Sequence, residues 1–140
     1  MYFSFLKVNL FISGSILSVK HSQFYYKGDE DRLRQLFMIL LDNAIKFTQE
    51  HGQIDLGCVK QGKSVLIIVQ DNGAGILKRD LPLVFNRFYK GDSARDRGDQ
   101  GAGLGLSIAH WIVDQHQGSI RISSETGQGT TIAIRFPLIG

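Results

Sequence analysis

Ser64-Val65-Leu66-Ile67-Ile68-Val69-Gln70-Asp71-Asn72-Gly73-Ala74-Gly75-Ile76 joins an apolar run to a glycine-rich turn. The run is β-branched and apolar up to Gln70, which predicts a buried strand. It ends in Asp-Asn-Gly-x-Gly, a turn with free φ/ψ and two side chains that bear carbonyl oxygens. Such a turn lets the backbone approach a flat ligand closely, and the Asp71 carboxylate can accept a hydrogen bond from an amino group on it. Asp-Asn-Gly is also common turn chemistry, so an ordinary loop is the competing reading.

Upstream, Ile54 to Val59 alternates in part and turns through Lys60-Gln61-Gly62-Lys63 into that strand, which predicts a hairpin. Before it, a long helix opens at Asp29 or Glu30. Leu33, Leu36, Phe37, Leu40, Ala44 and Phe47 share one stripe, and acidic residues crowd the first turn. Asn43 lies at the edge of that stripe, with Ile39 and Lys46 just beyond it. An amide there points into a cleft or bonds nearby backbone. Met38, Leu41 and Ile45 form a second strip, for more core or for a partner. Ser22 to Tyr26 reads as a short strand. Residues 1–20 are apolar but interrupted by Lys7, Asn9 and Ser13-Gly14-Ser15, so no run of about 18 apolar residues forms. A packed strand or helix is expected there.

Downstream, Leu77 to Phe85 predicts a short helix or two turns broken at Pro82. Phe85-Asn86-Arg87-Phe88-Tyr89-Lys90 is aromatic and basic. The segment after it, up to Gln100, has no apolar anchor beyond Ala94, which predicts a mobile lid from about Tyr89 to Ala102, hinged on Phe85 and Phe88. Gly101-Ala102-Gly103-Leu104-Gly105-Leu106-Ser107 then opens a helix with Ile108, Trp111 and Ile112 on one face. Glycines before a helix N-terminus leave backbone N–H groups free for an anion. No Gly-Lys-Ser/Thr follows the glycines of Gly101 to Gly105, so this stretch is not a P-loop, and its glycine spacing is not that of a Rossmann turn. Strands at Ser119 to Ser123 and Thr130 to Phe136 close the chain.

The 140 residues suit one core, and the net charge of +3 is spread along the chain. A nucleic-acid surface would cluster Lys and Arg on one element, so no nucleic-acid partner is expected. The lone Cys58 forms no internal disulfide, in keeping with a reducing compartment.

In this order the stretches resemble the ATP-binding catalytic domain of bacterial sensor histidine kinases, within the Bergerat-fold ATPases. Asp31-Arg32-Leu33 through Asn43-Ala44-Ile45-Lys46-Phe47-Thr48 is similar to the N box, and Asp71 to Ile76 to the G1 box. Phe85 to Lys90 is similar to the F box and Gly101 to Leu106 to the G2 box. The tail His116-Gln117-Gly118 and Gly129-Thr130 to Pro137 fits too. The resemblance implies a domain over residues 21–140, with 1–20 left apart. It also implies a two-layer α/β sandwich: a mixed, mostly antiparallel sheet of about five strands, helices on one face and an ATP lid.

It implies site roles as well. Asp71 takes the adenine amino group with Thr130 in support through water; Gly73, Gly75 and Ile76 face the ring, and Tyr89 stacks near it. Asn43 holds Mg²⁺ through its carbonyl oxygen. Lys46 and Arg95 add charge at the phosphates, which the backbone of Gly101, Gly103, Leu104, Gly105 and Leu106 cradles. Asn43, Lys46 and Arg95 are thus the catalytic candidates.

Two departures refine this. Many relatives carry a second asparagine one turn before Asn43, and hydrolysing cousins a glutamate; here it is Ile39, which cannot activate water. None of His21, His51, His110 and His116 sits in an acceptor setting, so the phosphorylated histidine is expected elsewhere. The implied function is transfer of the γ-phosphoryl of Mg·ATP to a histidine on a separate dimerisation domain, and indirectly to a response regulator. The isolated domain is expected to be a cytoplasmic monomer, with room for a membrane anchor in the full-length protein. The alternatives are a nucleotide-dependent regulatory module without phosphotransfer and an anti-sigma-type serine kinase.

Overall fold

The fold comes from a computed structural model, which describes residues 2–3, 6–12, 15–21, 24–48, 52–86 and 105–138, with side chains from Tyr26 onward. The strands are β1 (Tyr2–Phe3), β2 (Leu6–Ile12), β3 (Ser15–His21), β4 (Phe24–Tyr25), β5 (Gln53–Gln61), β6 (Ser64–Asp71), β7 (Ser119–Glu125) and β8 (Gly129–Pro137). The helices are α1 (Glu30–Phe47) and α2 (Gly105–Gln115), with a 3-10 turn at Leu81–Leu83 that contains Pro82.

Helix α1 starts where the sequence places it. Asp29 is its N-cap and accepts a hydrogen bond from the Arg32 N–H at 3.1 Å, and Glu30 and Asp31 complement the dipole. Leu33, Leu36, Leu40 and Ala44 are buried on its core face, while Phe37 is only partly buried at the margin. The helix stops at Thr48, whose N–H and hydroxyl both donate to the Ala44 carbonyl.

In α2 the buried residues are Ala109, Ile112 and Val113, not the Ile108–Trp111–Ile112 face expected from the sequence. Trp111 is 47% exposed, with the Arg32 guanidinium 5.2 Å from its ring centroid. The apolar residues of this short helix nearly encircle it, so periodicity alone does not fix which side faces the core.

Among the described residues the main sheet has six strands in the order β2-β3-β5-β6-β8-β7. All neighbours are antiparallel except β3 and β5, which run parallel with α1 in the crossover between them. The N-terminal segment supplies two of the six strands. Of the expected Ser22–Tyr26 strand, Phe24–Tyr25 is formed and pairs with β1 outside the main sheet, Tyr26 lies beyond the strand, and Ser22 and Gln23 lie outside the described residues. The two helices pack on one face over Ile54, Val65, Ile67, Val69, Ile132, Ile134 and Phe136, giving the two layers of an α/β sandwich. Cys58 is buried in the same layer, and burial pushes its thiol up to about 12, so it is inert packing and not a nucleophile.

Candidate functional site

The core face of β5, β6, β8 and β7 is a ladder of cross-strand rows. Cys58, Ile67, Ile134 and Ile120 make one row, and Leu56, Val69, Ile132 and Ile122 the next. The following row is Ile54, Asp71, Thr130 and Ser124. Side chains along a strand alternate between faces, so this polar row lies on the same side as the apolar ones. The chain therefore puts a carboxylate and two hydroxyls at one end of its own core.

Asp71 is 6% exposed and Thr130 5%. Burial pushes the Asp71 carboxyl above the usual range; hydrogen bonds from the Gly73 and Thr130 backbone N–H groups pull the other way. The Gly73 contact is 2.9 Å to Oδ1. An ionised carboxylate has room for more than these two donors, and it accepts only.

The turn after Asp71 is pinned from three sides. The Asn72 side-chain oxygen accepts the Gln53 N–H at 2.8 Å, and the Asn72 N–H returns to the Gln53 carbonyl. The Ala74 carbonyl accepts the Gly127 N–H at 2.7 Å. The Ile76 N–H donates to Ser124 Oγ at 2.7 Å.

The glycines have a reason the sequence did not give. A Cβ on Gly73 would run into the Phe47 carbonyl, and one on Gly75, at φ +79°, into the Glu125 carbonyl. Their missing side chains are required by the protein's own backbone, whatever else approaches them.

The Gly73–Phe47 contact brings the turn against the last turn of α1, which carries Asn43 and Lys46. Asn43 is half-buried beside Ala44; Lys46 is exposed and forms a 3.1 Å ion pair with Asp42. The start of α2 closes on the same helix one turn earlier, since a Cβ on Gly105 would meet Ile39 Cγ2 at 3.5 Å. Gly105 and Leu106 thus neighbour Ile39, and Asp71, Gly73, Gly75, Ile76 and Thr130 gather at the sheet end. The expected site residues Tyr89, Arg95, Gly101, Gly103 and Leu104, and the lid they belong to, lie outside the described residues. Of the two lid hinges, Phe88 also lies outside them, while Phe85 packs on His110 with ring centroids 5.2 Å apart.

Ser124 is the residue that sequence reading missed. Counting back from the Gly127 turn would have found it, because a hairpin that pairs Glu125 with Gly129 sets Ser124 opposite Thr130.

A model of the histidine kinase-, DNA gyrase B- and HSP90-like ATPases matches residues 28–140. The chain belongs to this ATPase family. It is 43% identical over 109 residues to the sensor protein SrrB of Staphylococcus aureus, a match covering 78% of this chain and 19% of that protein. The chain thus spans about a fifth of the curated relatives it matches. Among solved structures it resembles the mycobacterial sensor histidine kinase MprB, with a TM-score of 0.80, 29% identity, and coverage of 89% of this chain and 84% of that one. It also resembles full-length ShkA in complex with AMPPNP, with a TM-score of 0.73 and 27% identity, covering 91% of this chain and 27% of that one. Within the family the chain is the ATP-binding catalytic domain of the histidine kinase type. Among the described residues no helix is long and apolar enough to cross a membrane.

Proposed function

We propose that the chain binds Mg·ATP and donates the γ-phosphoryl group to a histidine on a separate dimerisation domain of a sensor kinase, with a response regulator downstream. The observation that carries this reading is the buried Asp71–Thr130 pair at the end of an otherwise apolar ladder. A carboxylate kept out of water without a cation beside it is costly, and an amino group on a flat ring, directly or through water, is the kind of donor that offsets the cost. The nucleotide analogue in the ShkA complex is a ligand of the same class.

The phosphates would extend from that end toward α1 and the start of α2. No group of three or more His, Cys, Asp or Glu that could hold a metal ion exists among the described residues. A single amide oxygen from Asn43 is a hard ligand of the kind Mg²⁺ takes, with waters and substrate phosphates filling the rest of its shell. Asn43 would supply the protein oxygen, and the ion would supply neutralisation of phosphate charge. Lys46 adds charge at the same edge, as does Arg95 from the lid. Tyr89 stacks near the base, and the backbone of Gly101, Gly103, Leu104, Gly105 and Leu106 cradles the phosphates.

The chain's own contribution is positioning and charge complementarity. Ile39 leaves the metal edge of α1 without a base, which favours transfer to an acceptor over attack by water. The nucleotide-binding unit would be residues 21–140, working on the cytoplasmic side where ATP is present.

The test is transfer of ³²P from γ-labelled ATP to a separately supplied histidine-bearing dimerisation domain. The expected result is acid-labile label on that domain. Tight ATP binding with no label on any histidine acceptor would overturn the kinase reading in favour of a regulatory nucleotide module.

A further inference from the structure

Ser124 Oγ has three partners: the Ile76 N–H at 2.7 Å, the Gly129 carbonyl at 2.9 Å and Thr130 Oγ1 at 3.0 Å. A serine hydroxyl has one hydrogen and two lone pairs. The Gly129 carbonyl only accepts, so the hydrogen goes there. The Ile76 N–H takes one lone pair. The other lone pair faces Thr130, which must therefore be the donor in that contact.

The proton of the Thr130 hydroxyl is thus spent on Ser124, and what Thr130 has left is acceptor capacity. Its neighbour in the row, Asp71, is acceptor-only as well. We infer that Ser124 is a positioning residue that fixes the Thr130 hydroxyl as an acceptor and so makes the site selective for a 6-amino purine over a 6-oxo purine. This rests on the nucleotide reading above and adds the residue that sets the base preference. An amino group, or a water that it orients, supplies the donors that two acceptors require. A 6-oxo purine brings the lone pairs of its O6 to the same place, where the ionised Asp71 carboxylate and the Thr130 hydroxyl offer only acceptors.

Removing Ser124 has two separable effects. The Ile76 N–H loses its acceptor, which loosens the turn and weakens every nucleotide alike. The Thr130 hydroxyl regains a free proton, which changes only the choice between amino and oxo bases. A site built from fixed hydrogen-bonding groups discriminates strongly, and one with a free rotor does not.

The experiment is calorimetric titration of the 140-residue chain with Mg·ATP and with Mg·ITP, in the unaltered protein and in Ser124→Ala, Ser124→Cys, Ser124→Thr and Thr130→Val. In Ser124→Ala, ATP affinity should fall about tenfold while ITP affinity changes less than about threefold, so the ATP/ITP ratio narrows. Ser124→Cys, close in shape but a poor acceptor, should narrow it too and covers a folding failure of the alanine variant. Ser124→Thr keeps the hydroxyl and should restore the ratio. On a Thr130→Val background, Ser124→Ala should leave the ratio where Thr130→Val put it. Equal losses for both nucleotides, or narrowing that persists without the Thr130 hydroxyl, would overturn the positioning role while the nucleotide reading stands. An unaltered chain that binds neither nucleotide would overturn the nucleotide reading itself, and the positioning role with it.

Discussion

The two central strands, β6 and β8, end in opposite chemistries. At one end Val65 and Phe136 face each other across β6 and β8, fully buried, with Tyr26 stacked on Phe136 at 5.2 Å. At the other, Asp71 and Thr130 occupy the equivalent places and are nearly as buried. Register, sheet and helix layer are shared, so the difference lies in side chains alone. The apolar end gains from leaving water and holds the layers together. The polar end pays for the same burial and keeps acceptor capacity beyond the Gly73 and Thr130 N–H groups that already reach Asp71. One end is organised for stability and the other for a ligand.

The sharpest way to break that contrast is Phe136→Ala at the apolar end. Truncating a fully buried aromatic ring costs about 3–5 kcal/mol. Denaturant unfolding should record that loss, while the folded fraction should still bind ATP within about threefold of the unaltered chain. A large loss of affinity in the folded fraction would show that the two ends are not separable.

Asp71→Asn is the counterpart at the polar end. It replaces an acceptor-only group with one that presents a donor to the adenine amino group, at a cost of about 1–3 kcal/mol, or roughly 5- to 150-fold in affinity. The fold should hold, because the lost charge was itself disfavoured by burial. Calorimetry should find weak or no ATP binding beside an unchanged circular dichroism spectrum; undiminished affinity would remove Asp71 from the site.

The same residue sets a pH dependence. Its folded pKa is raised by burial, so folding shifts the balance toward the neutral form relative to the unfolded chain. The stability linked to Asp71 is therefore full below the unfolded pKa and is lost as pH rises through the folded one. The adenine recognition proposed for Asp71 runs the other way, since it needs the ionised carboxylate. ATP affinity should fall on acidification at a pH above that at which an exposed aspartate protonates, while unfolding shows no matching loss there. Asp71→Asn should lack this step; an identical pH profile in the variant would assign the step to another group.

The sequence exposed these two ends unequally. Helix α1 and the strand into Asp71 were legible because a cap and a hydrophobic period are local signals, and Asp29 and Leu33 to Ala44 behave as their spacing says. The joining of β3 to β5 was not, because that parallel pairing spans the whole of α1 and has no local signature. At the site, Asp71 announced itself as a carboxylate before two glycines. The reason for the glycines did not, since Phe47 and Glu125 are remote in sequence and meet Gly73 and Gly75 only after folding. Ser124 was hidden in the same way: its role depends on three partners brought together by the β7–β8 hairpin and the turn after β6.

Ile39 is the place where the two chemistries touch. It is partly buried against the core, close to the start of α2, yet one helical turn from Asn43 at the polar edge. As isoleucine it extends the apolar side toward Asn43 and leaves no base there, so the unaltered chain should hydrolyse ATP very slowly. Ile39→Glu puts a carboxylate one turn from Asn43 on the same helix. General-base assistance is worth about 10²–10⁴-fold when geometry is right. Part of that is offset here, because the carboxylate must leave water beside Gly105 and the core. A gain of about tenfold in steady-state ATPase is therefore expected, with a lower unfolding midpoint. Fast hydrolysis by the unaltered chain would refute the missing base. A folded, ATP-binding Ile39→Glu variant without any gain would mean that the position of water, and not the absence of a base, limits hydrolysis at this edge.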